Sequence, residues 1–266
     1  MTEPLLQVRD LCVRSKTGEL LVDSLSFSVA PGACLGIAGE SGSGKTLTTL
    51  ALLSLLPPGF AATGSVRFQG QELLGTSEAR LAGVRGRAIA LIPQMSAEPF
   101  DPLCPVGSLI LEALANAFPG KPRAELKAKI LALFEKLHLP EPEKLFRRYP
   151  HELSGGQRQR CLIAAALALD PALVIADEPA TALDAGNQRE LVSLFKEVMA
   201  RGTALLFISH DLALITSLAS DMLVMQAGRA EEAGPVACLL APESPYAQEL
   251  VTTRRAIAKR FNEAMR

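Results

Sequence analysis

The stretch Gly39-Glu40-Ser41-Gly42-Ser43-Gly44-Lys45-Thr46 follows the spacing G-x-x-x-x-G-K-[ST]. Glycines so placed let backbone N–H groups turn inward around an anion. A helix beginning at the end of the run points its positive end at the same spot. There the Lys45 ammonium would reach the β- and γ-phosphates of a nucleotide, and the Thr46 hydroxyl would ligate Mg2+. Thr49 joins the expected nucleotide contacts. Further on, Gln94, Asp177-Glu178 and His210 each stand just past a short apolar run. Phosphoryl transfer to water needs charge neutralisation, a metal, and a group that orients or deprotonates the water. Asp177 suits a Mg2+ partner, and Glu178 suits a general base. Gln94 can hydrogen-bond a metal-bound water and the attacking water, and His210 can donate to the γ-phosphate. The expected catalytic set is Glu178, His210, Gln94 and Lys45. The expected metal set is Thr46, Gln94 and Asp177.

These groups need a scaffold that brings them together. Ala33–Ala38, Ala88–Ile92, Ala172–Ala176 and Ala204–Ile208 are apolar runs, as expected of strands buried on both faces of a parallel sheet. The C-terminal ends of such strands share one edge, where open α/β folds bind ligands. Leu5–Val13, Leu21–Val29 and Thr63–Gly70 read as strands of a small antiparallel sheet beside it. The helix from Lys45 is expected to stop at Pro57-Pro58-Gly59. Leu109–Ala117 and Arg123–Leu139 carry helical spacing, with Leu126, Ile130, Leu133, Phe134 and Leu137 on one stripe. They predict an inserted helical lobe. Ser154-Gly155-Gly156 opens a helix over Gln157–Leu169, a second anion-ready helix start. Asn187–Ala200 and Leu214–Ala219 read as helices, and Met222–Met225 as the last strand.

Of the 266 residues, 48% are hydrophobic, ample for a core. The formal net charge of -1 argues against general nucleic-acid binding, which needs a basic face. The five cysteines, Cys12, Cys34, Cys104, Cys161 and Cys238, have no C-x-x-C spacing and read mostly as buried free thiols of a reducing compartment. The N-terminus shows no signal peptide, and no apolar run reaches the roughly 18 residues of a membrane span. A soluble protein able to dock on a membrane partner is expected. The stretch Thr252–Arg266 holds Arg254, Arg255, Lys259, Arg260 and Arg266 against Glu263. It reads as a solvated helical tail, or as a contact for anionic lipid headgroups.

Leu153-Ser154-Gly155-Gly156-Gln157, taken with the glycine-rich loop, Leu173–Glu178 and His210, resembles the ATP-binding subunit of an ABC transporter. The resemblance covers nearly the whole length. It implies an α/β fold: a P-loop NTPase core with a mainly parallel sheet, a small antiparallel β subdomain and an inserted α-helical subdomain. The implied division is an ATP-binding core over 1–94 and 169–235, a helical lobe over 95–168, and a C-terminal tail over 236–266. It implies ATP and Mg2+ as cofactors, and head-to-tail pairing with a second ATP-binding subunit. Ser154, Gly155, Gly156, Gln157 and Asp184 of one chain would then complete the site of the other. Gln94 looks like the glutamine of the loop joining core to lobe, Ala182–Asp184 like the loop linking the two sites, and Glu178 like the catalytic base. The family stacks adenine on an aromatic ring near the end of the first strand. Here Val13-Arg14-Ser15 offers none, and Arg14 is the group that could stack instead. Tyr149–Gly156, Ile175–Pro179 and Ser244-Pro245-Tyr246 are similar to the oligopeptide, dipeptide and nickel importers. That implies uptake of small peptides, with nickel or a nickel chelate as the alternative cargo. It also implies two membrane permease subunits, an extracytoplasmic binding protein acting indirectly, and a place on the cytoplasmic face of the inner membrane.

Overall fold

The computed structural model describes residues 3–94, 100–237 and 242–252. The expected start of the helical lobe at Met95, Cys238, and the basic tail from Arg254 onward lie outside the described residues. In chain order the elements are β1 (Leu6–Arg14), β2 (Leu20–Val29), β3 (Cys34–Gly39), α1 (Lys45–Leu52), β4 (Ala61–Phe68), β5 (Gln71–Glu72), α2 (Glu78–Val84) and β6 (Ile89–Ile92). Then follow α3 (Val106–Ala117), α4 (Arg123–Lys136), α5 (Pro142–Leu145), α6 (Gly155–Ala168), β7 (Leu173–Asp177) and α7 (Ala185–Ala200). The order ends with β8 (Ala204–Ile208), α8 (Leu212–Leu218), β9 (Asp221–Gln226) and β10 (Arg229–Pro235). The chain forms two compact units, Met1–Leu81 with Ala204–Arg266, and Ala82–Thr203.

In the first unit, β2-β1-β4-β5 form the antiparallel sheet that the alternating segments predict. Beside it run β10-β9-β3-β8. β3 is buried at every position and pairs in parallel with β8 and β9. That burial on both faces explains its unbroken apolar sequence. Helix α8 crosses β3 so closely that a Cβ on Gly36 would lie 2.4 Å from Ile215 Cγ2 and 3.3 Å from Ala219 Cβ. In the second unit, β6 and β7 pair in parallel, and α3, α4 and α6 pack together. Leu126, Ile130 and Phe134 form the buried stripe of α4 with Leu137 just beyond it, while Leu133 stays half-buried.

Several boundaries differ from expectation for local reasons. Helix α1 ends at Leu52, well before the prolines. Ser54 takes a left-handed φ of 51°, Leu55 N–H donates to Leu50 O at 2.8 Å, and Ser54 N–H donates to Ala51 O at 3.0 Å. This is a Schellman ending with serine where glycine is usual. Met222–Met225 lies within β9, but β9 is not the last strand. Ala227 and Gly228, with φ of 46° and 82°, turn the chain into β10. A two-residue turn with both φ positive suits a hairpin. Sequence reading misses β10 because Arg229-Ala-Glu-Glu-Ala-Gly-Pro235 presents no apolar face. The four described cysteines are free. Cys34 and Cys161 are buried, and burial pushes both thiols up to about 12, while Cys12 and Cys104 are only half-buried.

The crossing of α8 over β3 generates a prediction. Gly36→Ala forces a methyl into the fully buried Ile215. It should destabilise the chain by about 1–3 kcal/mol, read as a lower midpoint in chemical denaturation. An unchanged midpoint would contradict the close crossing.

Candidate functional site

Residues 39–46 join β3 to α1. Gly39, Gly42 and Gly44 have φ of 157°, 82° and 98°. At Gly39 a side chain is excluded outright, since its Cβ would lie 2.3 Å from Met225 O and 2.7 Å from Ser43 Oγ. Gly42 faces open space, so the left-handed backbone alone requires glycine there. Gly44 stands at the N-cap of α1 in the left-handed region, with no side-chain cap and no acidic residue in the first turn. The positive end of the helix is therefore presented to the loop. Lys45 is buried, and its Nζ donates to Gly39 O at 3.0 Å, Glu40 O at 2.7 Å and Ser43 Oγ at 3.3 Å. Thr46 is exposed at the mouth, as are Glu40 and Ser41. Thr49 is buried, and its hydroxyl donates to Thr46 O at 2.8 Å.

Register brings His210 to the same edge. Ile37 of β3 aligns with Ile208 of β8, so the loop and His210 both leave the sheet at its C-terminal side. Buried Ser209 holds the exit, with its N–H donating to Ile37 O at 3.2 Å and its Oγ accepting from Asp211 N at 3.0 Å. His210 is exposed. Arg14 is also exposed, and its Nη1 donates to Gly18 O at 3.2 Å.

The second unit repeats the pattern. Ile92 of β6 aligns with Ala176 of β7, so Gln94, Asp177 and Glu178 leave their strands at one edge. Asp177 is 2% exposed, whereas Gln94 is exposed and Glu178 half-buried. Glu178 has a left-handed φ of 50°. A side-chain-bearing residue there stores strain that the surroundings must hold in place. Thr181 contributes, its Oγ1 donating to Glu178 O at 3.2 Å and lying 3.4 Å from Glu178 Oε2.

The residues that the resemblance assigns to a neighbouring chain's site also cluster. Ser154 caps α6, so the helix begins at Gly155 rather than at Gln157. Ser154 Oγ accepts from Gln157 N at 3.2 Å, and Gln157 Oε1 accepts from Ser154 N at 3.0 Å. This reciprocal capping box leaves Gly155 and Gly156 as the first two helical residues. A Cβ on Gly156 would stand 3.1 Å from Ala182 O, so the two expected bridging segments touch. Asp184 caps α7, accepting from Asn187 N at 2.9 Å and Nδ2 at 2.6 Å. These bonds from Asn187, the backbone N–H foremost, hold the Asp184 carboxyl below the usual carboxylate range.

Sequence reasoning missed the group that ties this cluster together. Arg160 donates through Nη1 to Leu137 O, His138 O and Asn187 Oδ1 at 3.0, 2.9 and 3.0 Å, and through Nε to Gly156 O at 3.3 Å. Nothing in the spacing marks it, because its partners come from the ends of three helices.

Comparison with known proteins places this geometry. The family described as ABC transporter matches residues 22–181. The chain is 36% identical over 265 residues to the metal-staphylopine import system ATP-binding protein CntD of Staphylococcus aureus, covering 98% of this chain and 97% of that one. It is 38% identical over 256 residues to the oligopeptide transport ATP-binding protein OppD of Bacillus subtilis, covering 94% of this chain and 71% of that one. The fold matches the dimeric structure of MJ0796, a bacterial ABC transporter cassette, with a TM-score of 0.79 at 23% identity, over 87% of this chain and 98% of that one. The cassette fold and the α/β reading agree. The family model spans more than half of the chain and these relatives match nearly all of it, so the chain belongs to the ABC transporter family.

Proposed function

We propose that the chain is the ATP-hydrolysing subunit of an importer for small peptides. The observation that carries this is the loop at 39–46, whose glycine conformations, uncapped helix start and buried Lys45 suit a polyphosphate. Lys45, Ser41, Ser43 and the backbone of Glu40–Thr46 bind and orient the phosphates. Thr46, Gln94 and Asp177 offer a hydroxyl, an amide and a carboxylate, oxygen donors of the hard type that Mg2+ prefers, and are the residues that would hold it. A carboxylate as buried as Asp177 also suits a cation nearby. When bound, Mg2+ would neutralise phosphate charge. Glu178 takes a proton from the attacking water, and its strained backbone fixes the direction of its carboxylate. His210 donates to the γ-phosphate, and Gln94 reports nucleotide state toward the helical lobe at 95–168.

The capped Ser154–Gln157 start and the adjoining Asp184 support head-to-tail pairing with a second, different ATP-binding subunit. Two membrane permeases and an extracytoplasmic binding protein complete the assembly at the cytoplasmic face of the inner membrane. Among the described residues no helix is long and apolar enough to cross a membrane, which fits a peripheral subunit. Metal-chelate uptake is the second reading, favoured by the near full-length match to CntD.

Two outcomes test this. Glu178→Gln should lower ATP turnover by about 100-fold or more while retaining ATP binding, and size-exclusion chromatography with ATP should show an accumulated dimer. Normal turnover would remove Glu178 from the role of base. For cargo, cells lacking this subunit should lose uptake of labelled di- to oligopeptides and keep uptake of chelated nickel. The opposite pattern selects the metal-chelate reading.

A further inference from the structure

The stretch Ser244-Pro245-Tyr246 begins a helical segment over 245–252. Ser244 Oγ accepts from Ala247 N at 3.1 Å, and proline follows at the first helical position, a firm helix start. The Glu232 carboxylate on β10 accepts from Glu243 N at 3.3 Å and Ser244 N at 3.1 Å, which pins that start to the first unit. Tyr246, Ala247, Leu250 and Val251 are buried. The backbone N–H of Glu40 donates to the Tyr246 hydroxyl oxygen at 3.1 Å, across 206 residues of sequence.

That N–H belongs to the Gly39–Glu40 peptide group, whose carbonyl is Gly39 O. The same Gly39 O accepts from Lys45 Nζ at 3.0 Å. A peptide group is planar, with C=O and N–H pointing opposite ways. Holding its N–H therefore sets the direction of its C=O. Tyr246 and Lys45 grip the two ends of one rigid plate, at a glycine with no side chain to resist its rotation.

We propose that Tyr246 is a positioning residue for Lys45, acting through the Gly39–Glu40 peptide group. The C-terminal helical segment thereby tunes the phosphate loop's hold on ATP. Without the hydroxyl, the plate can rotate and the ammonium loses one fixed acceptor. The inference rests on the reading of residues 39–46 as the nucleotide cradle.

Tyr246→Phe removes one oxygen and keeps the ring. Titration calorimetry on the full chain, well below its melting midpoint, should show ATP affinity falling about three- to tenfold, the worth of one hydrogen bond. In turnover assays KM should rise while kcat at saturating ATP stays within about twofold. Glu232→Gln, which weakens the anchor of the segment, should raise KM in the same direction. The double variant should fall short of the product of the two effects, because both act through one contact. An unchanged affinity and KM in Tyr246→Phe, or a fall in kcat alone, overturns the proposal. Lys45→Ala serves as the control. If it abolishes ATP binding while Tyr246→Phe binds normally, only the role of Tyr246 falls. If Lys45→Ala binds ATP as well as the parent chain, the reading of the cradle falls first.

Discussion

A lysine ammonium with almost no solvent must have its donors satisfied by protein, because a buried charge without partners is too costly to keep. Lys45 meets that demand with two carbonyls and a hydroxyl of its own loop. The demand dictates the loop. The carbonyls of residues 39 and 40 turn toward the ammonium, in a loop where Gly39, Gly42 and Gly44 take positive φ. The strand beneath must also come close enough to β9 to exclude any side chain at Gly39. The parallel register of β3 with β8 delivers His210 to the loop's edge.

Much of this was legible in the chain. The apolar runs marked β3, β6, β7 and β8, since strands buried on both faces have no polar side to show. The polar residue after each run leaves its strand at the C-terminal edge of its own unit, as the parallel pairing requires. Less legible were elements whose cause lies in tertiary contacts. β10 is charged and exposed, and it exists because β9 offers it a ladder. The end of α1 is set by a left-handed serine, which sequence gives little reason to expect. Arg160 reaches carbonyls from distant helix ends, and the hydroxyl of Tyr246 meets Glu40 only once the C-terminal segment has folded back. Short-range pattern carries no trace of such contacts.

Conformational strain and hydrogen bonding divide the work differently at the two edges. Around residues 39–46 glycine accepts the unusual backbone without penalty, so the loop can be tight and still relaxed. At Glu178 a residue with a side chain holds the left-handed backbone, at a cost of order 1–3 kcal/mol. Thr181 stabilises that turn from three residues away. A residue kept in a costly conformation is directed by its backbone as much as by its side-chain contacts.

The capping box at Ser154 has an electronic consequence. Its hydroxyl oxygen already accepts from Gln157 N–H, so one lone pair is engaged and the O–H bond is polarised. A hydroxyl that accepts becomes a stronger donor, because hydrogen bonds in a chain reinforce one another. The helix start of α6 thus makes the Ser154 O–H a better donor than an uncapped serine would be.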